Sequence, residues 1–153
     1  MRRWPAFLLL LVMGLVGPVY TWADDKKPVN VEVWVIRATT KNKEISKELK
    51  SLAETLKKQF KYTGFKLEKR IAKRVELGKS FKADLIGGYK LTLTAKARLS
   101  KRVQLQLAVS KRVGKKDKTV LNTTVTIKAG PLLPVGGLPL KGGDKLILAV
   151  RAR

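Results

Sequence analysis

The sequence predicts an α+β fold: a predominantly antiparallel β-sheet with one amphipathic helix, in the order β-α-β followed by a meander. Three observations predict it. Apolar residues recur at every second position over most of the chain from Val29 onward; the alternation gives way once, between Asn42 and Gly64, to steps of three and four; and glycine-rich breaks separate the alternating runs.

The first run places Val29, Val31, Val33 and Val35 on one face and Asn30, Glu32, Trp34 and Ile36 on the other. β-Branched residues at period two fit a pleated strand. The second face turns apolar at Trp34 and Ile36, so the strand is expected inside a sheet, covered on both sides at that end.

Ile45, Leu49, Leu52, Leu56 and Phe60 then form one stripe of a helix of about five turns. Asn42 is the expected N-cap, Glu44 falls in the first turn, and Lys57, Lys58 and Lys61 lie toward the end, matching the helix dipole. Gly64 is the expected stop. A Leu and Phe stripe of this kind faces a core.

Alternation resumes with Phe65, Leu67, Ile71, Val75 and Leu77 against Lys66, Glu68, Arg70, Arg74 and Glu76, ending at Gly78. Lys69-Arg70 and Lys73-Arg74 interrupt it, which marks a bulge or a charged edge. A short strand follows through Phe81, Ala83 and Leu85, closed by Gly87-Gly88. Tyr89 to Leu99 and Val103 to Val109 read as neighbouring antiparallel strands joined near Ser100-Lys101. Gly114 to Lys118 turns the chain into a strand bearing Leu121, Thr123, Val125 and Ile127, within which the sequon Asn122-Thr123-Thr124 falls. A loop rich in Pro and Gly precedes the last strand, Leu146 to Val150. With no internal repeat and no linker, residues 29–153 read as a single β-rich domain behind a short polar lead at 24–28.

Residues 1–23 have the grammar of a cleavable signal peptide: Arg2 and Arg3, an apolar run from Ala6 to Val16, then Gly17-Pro18 and Thr21-Trp22-Ala23. The run is short of the roughly 20 residues that span a bilayer. Cleavage near Ala23 would export the chain to the periplasm or the exterior, with no transmembrane span after signal removal.

The 34 Lys and Arg outnumber the 11 Asp and Glu, giving +23, or +21 once Arg2 and Arg3 leave with the signal. Such a field either draws anionic partners through counterion release or only keeps the surface solvated. With no Cys, packing rather than disulfides must hold the fold. The absence of His removes the commonest general base and metal ligand. Glu32, Glu68, Glu76 and Asp84 show no catalytic spacing, and no cofactor is expected. Gly78-Lys79-Ser80 lacks the Gly five residues earlier that a phosphate-binding loop needs, since Lys73 stands there.

The polar parity of the long strands carries Arg70, Arg74, Lys90, Lys96, Arg98, Arg102 and Arg112, which a shared sheet face would gather into one anion-binding surface. Phe65, Phe81 and Tyr89 fall on the apolar parity, so the stacking platforms of a single-strand nucleic-acid reader are not expected there.

Near the C-terminus, Leu121 to Gly130, then Val135-Gly136-Gly137-Leu138, then Lys145 to Val150 resemble the strand, glycine turn, Gly-Gly-Leu and final strand of the bacterial secretin core domain. The segment also looks like small exported bacterial envelope proteins of unassigned function. The chain departs from secretins at Pro131-Leu132-Leu133-Pro134 and in length, so the resemblance implies an accessory or structural envelope role without pore formation. The expected function is a non-catalytic structural or protein-interaction domain of the envelope, with an unknown envelope protein as partner. The alternative is a polyanion-binding module for nucleic acid, anionic lipid or acidic cell-wall polymer.

Overall fold

A computed structural model describes residues 27–153; the proposed signal peptide and Asp24 to Lys26 lie outside the described residues. The described residues form eight strands, seven of them on the alternating runs: β1 (Val29–Thr39), β2 (Gly64–Val75), β3 (Ser80–Asp84), β4 (Tyr89–Leu99), β5 (Arg102–Val113), β6 (Lys116–Lys128), β7 (Leu133–Pro139) and β8 (Lys145–Ala152). They build two four-stranded antiparallel sheets, β2-β1-β8-β7 (sheet A) and β3-β4-β5-β6 (sheet B). The meander read from the sequence is sheet B.

β1 belongs to two cores. Its odd residues Val29, Val31, Val33 and Val35 join Leu146, Leu148 and Val150 of β8 against Leu91, Leu93, Leu105, Leu107 and Val109 of sheet B, all buried. Its even residues Trp34, Ile36 and Ala38 join Ile147 and Ala149 under Leu49, Leu52, Leu56 and Phe65. The second apolar face at Trp34 and Ile36 therefore does mark a central strand covered on both sides.

The helix is shorter than the stripe predicts. A single 3-10 turn spans Lys47–Leu49 and α1 covers only Ala53–Gln59. The stripe still faces a core, but Ile45 reaches it in extended backbone. Phe65 N–H donates to the Glu44 carbonyl at 2.9 Å and Ser46 N–H to the Phe65 carbonyl at 3.0 Å, forming a bridge on the edge of β2. Those sheet bonds replace the first helical turns. Asn42 caps no helix; its Oδ1 accepts the Glu44 N–H at 3.0 Å within a turn. Nor is Gly64 the helix stop. It opens β2, where a Cβ would lie 2.9 Å from the Asn42 carbonyl oxygen.

The loop expected before the last strand contains β7, an edge strand against β8 with a register shift between Pro134 and Gly136. Two prolines and the shift suit an edge, where a missing N–H costs no ladder bond. On the opposite edge, β2 carries the charged doublets, and its register with β1 shifts between Val35 and Ile36. The unpaired residue is Glu68, beside the first doublet; Lys73-Arg74 pairs in regular register with Val31 and Asn30, so both doublets lie on a charged edge and a bulge adjoins only Lys69-Arg70. At Gly78 the backbone turns between the sheets with φ +83°, a conformation glycine adopts without steric cost.

Tyr89 ties the two sheets together: it is 2% exposed and its hydroxyl donates to the Pro139 carbonyl at 2.6 Å. Tyr89→Phe keeps the packing and leaves that carbonyl without its donor, so stability is expected to fall by about 1–2 kcal/mol. The check is a lower urea midpoint at unchanged m-value.

Candidate functional site

Sheet A is covered by the helical segment at only one end of its outer face. At the other end β1 presents Asn30 and Glu32, paired with Arg74 and Ala72 of β2 on one side. Arg151 of β8 pairs with Glu32 on the other side, and the Asn30 backbone exchanges hydrogen bonds with Arg153. Directly opposed residues of antiparallel strands share a face, so alternation alone brings these side chains together. The result is a cleft of about 580 Å³ lined by Asn30, Val31, Glu32, Arg70, Ala72, Lys73, Arg74, Arg151 and Arg153. The charged side chains on its outer face are Arg70, Arg74, Arg151, Arg153 and Glu32; Lys73, opposite the buried Val31, lies on the other face of β2.

Glu32 organises the cleft. Arg70 Nε lies 2.6 Å from its Oε1, Arg151 Nη2 3.0 Å from its Oε2, and Trp34 Nε1–H donates to Oε1 at 2.7 Å. The Arg70 guanidinium stacks 4.7 Å from the Trp34 ring centroid, and that of Arg151 stands 5.8 Å away. Each cation is thus oriented by a carboxylate and an aromatic face together. Burial alone would raise the Glu32 carboxyl; the hydrogen bonds from Trp34, Arg70 and Arg151 outweigh it and hold the group at about 2, against 4.5 ordinarily. Arg151 Nε is buried without a hydrogen-bond partner among the described residues. The cleft therefore keeps excess positive charge and an unmatched donor.

The seven basic residues read from the sequence do not share one face, because β2 belongs to a different sheet from β4 and β5. Arg70 and Arg74 line the cleft on sheet A. Lys90, on β4, lies on the outward face of sheet B and lines a separate depression with Thr92, Ser110 and Asp117. Arg112 sits opposite Asp117 at the β5–β6 turn. Lys96 occupies the bulge between Ala95 and Ala97, and Arg102 faces Leu99 and Lys128 at the other end of sheet B. Arg98 Nη1 donates to the carbonyls of Pro28 at 3.1 Å and Arg153 at 3.3 Å, fastening sheet B to the ends of sheet A. Sequence reasoning missed Glu32 as an organiser and missed Arg151 and Arg153. Arg151 continues the parity of Ile147 and Ala149; the pairing of β8 with β1 supplies the rest.

A second cleft, of about 610 Å³, lies at the opposite end among Arg37, Thr39, Lys41, Glu44 and Asp144. Its central charges neutralise one another. Arg37 bridges Glu68 at 3.1 Å and Asp144 at 3.4 Å. The Thr39 hydroxyl and the Arg37 guanidinium outweigh burial and hold the Asp144 carboxyl below its usual range. Phe65 and Tyr89 are buried in the cores and Phe81 packs against one, so none is an aromatic platform. Among the described residues, no group of His, Cys, Asp or Glu could hold a metal ion and no helix is long and apolar enough to cross a membrane. No protein-family model matches the chain, and no curated protein matches it in sequence.

Proposed function

We propose that this protein is a non-catalytic, exported binding domain of the bacterial cell envelope that holds an anionic ligand in the cleft on sheet A. One observation carries the reading: Arg70 and Arg74 of β2, with Arg151 of β8 and Arg153 beside it, share the outer face of one cleft with a single acidic side chain, Glu32. Guanidiniums pre-oriented by Glu32 and Trp34 offer forked donors without a further ordering cost, which suits carboxylate, sulfate or phosphate groups. Export rests on the leader at 1–23, and the envelope role on the likeness of the C-terminal segment to secretins.

The test is retention on heparin as a function of salt. Arg74→Glu with Arg153→Glu, two cleft residues that do not bridge Glu32, is expected to reduce the slope of log affinity against log salt by at least about 2. Lys90→Glu with Arg112→Glu, on sheet B, removes the same charge and should leave most of the retention intact. Equal losses from both pairs would mean that only the overall field binds anions, and would overturn the proposal.

A further inference from the structure

The cleft opens beside a stretch of sheet edge that is covered only in part among the described residues. β2 is an edge strand. Near its start the outward backbone is occupied: Phe65 exchanges hydrogen bonds with Glu44 and Ser46, and Leu67 N–H donates to Ser46 Oγ at 3.0 Å. Among the described residues, no backbone hydrogen bond reaches the outward edge from Lys69 to Val75.

The direction of that edge follows from β1. The Asn30 N–H and carbonyl exchange bonds of 3.0 and 2.9 Å with Arg153, on the β8 side. Alternation then turns Val29 and Val31 toward their β2 partners Val75 and Lys73. The amides of Ala72 and Arg74 consequently point away from the sheet, into the space a ninth strand would occupy. Such a strand would set its side chains beside Arg70, Ala72 and Arg74 on the outer face, and beside Lys69, Ile71 and Lys73 on the inner one.

We infer that the anionic ligand is an acidic, extended segment of a partner protein, which adds to the free edge of β2 as a further strand and places its carboxylates against the cleft arginines. The inference rests on the anion-binding reading above. It adds backbone pairing, which a polysaccharide or nucleic acid cannot supply. Charge complementarity selects the occupant: four of the seven residues from Lys69 to Val75 are Lys or Arg, and the same four, Lys69, Arg70, Lys73 and Arg74, deter a second copy of the same edge. Ile71, packed against the core, marks the one inward position where an apolar partner residue fits.

The experiment uses the whole protein and a synthetic peptide alternating Glu and Val. Two further peptides are N-methylated on alternate backbone nitrogens, one in each register. Only one register faces β2, so one of the two is expected to bind at least tenfold more weakly than the parent. Ala72→Pro, which removes an outward N–H without changing charge, should weaken the peptide at least tenfold; if that variant does not fold, the methylated peptides decide the matter on the unaltered protein. Equal binding of both methylated peptides overturns strand addition, while a persisting effect of Arg74→Glu with Arg153→Glu on heparin leaves the cleft reading standing. If neither heparin nor peptide responds to those charge reversals, the cleft reading itself fails.

Discussion

Glu32→Gln is expected to lower stability at pH 7 by about 2–3 kcal/mol and at the same time to tighten anion binding roughly threefold to tenfold. The two effects share one cause. The carboxylate accepts from Arg70, Arg151 and Trp34 and is the one acidic side chain lining a cleft whose outer face carries four arginines. Without its charge the guanidiniums repel one another in the unliganded fold, and an incoming anion no longer competes for them. Most single substitutions in a binding site weaken both folding and binding, so opposite signs distinguish this arrangement.

The same group sets a pH dependence. Its carboxyl is held at about 2, below its ordinary 4.5. A depressed carboxyl contributes stability that is complete above the unfolded value and is lost as pH falls through the folded one. Urea unfolding of the unaltered protein should therefore weaken between about pH 4.5 and pH 2, with Asp144, also depressed, contributing in the same direction. Glu32→Gln should flatten that fall. A pH profile identical in the two proteins would remove Glu32 from the account, as would unchanged stability at pH 7.

The second large effect is structural. Phe65→Ala is expected to cost about 3–5 kcal/mol, the range for removing a buried aromatic ring. Phe65 is 1% exposed and packs with Ile36, Leu49 and Leu56 on the outer face of sheet A, in a core separate from the one between the sheets. The loss should be local before it is global. Hydrogen exchange is expected to accelerate first in the segment 44–59, whose anchor on β2 includes the Phe65 backbone, while the amides of β4 and β5 keep their protection. Leu107→Ala, in the core between the sheets, should instead speed exchange in both sheets together. Uniform acceleration in both variants would mean that the two cores act as one.

Much of this architecture is legible in the residues themselves. Period-two runs place seven of the eight strands, and the apolar turn of the even face at Trp34 identifies β1 as central before any partner strand is known. The helix is over-read because Ile45 and Phe60 keep helical spacing while the edge of β2 captures the backbone between Glu44 and Ser46. β7 escapes because Pro134, Gly136 and Gly137 look like loop, although an edge strand tolerates them. The cationic surface is half-read. Alternation puts Arg70 and Arg74 on the polar side of their strand, but only the pairing of β1 with both β2 and β8 adds Arg151 and Arg153, and only the division into two sheets takes Lys90, Lys96 and Arg102 away. Strand partnership over a separation of a hundred residues has no local signature.

That long-range pairing also governs when the fold can form. β1 opens the described chain, yet eight of its residues find their partners in β8. Sheet A therefore has no central pair until the final strand has left the ribosome, and a nascent chain can assemble the local hairpins of sheet B but not the layer that carries the cleft. Closing so long a loop is slow, in the millisecond-to-second range typical of sandwiches rich in non-local contacts. On the proposed export reading, an unpaired β1 would leave the polypeptide open for translocation, and the arginine cleft would form only once β8 is available to pair with β1.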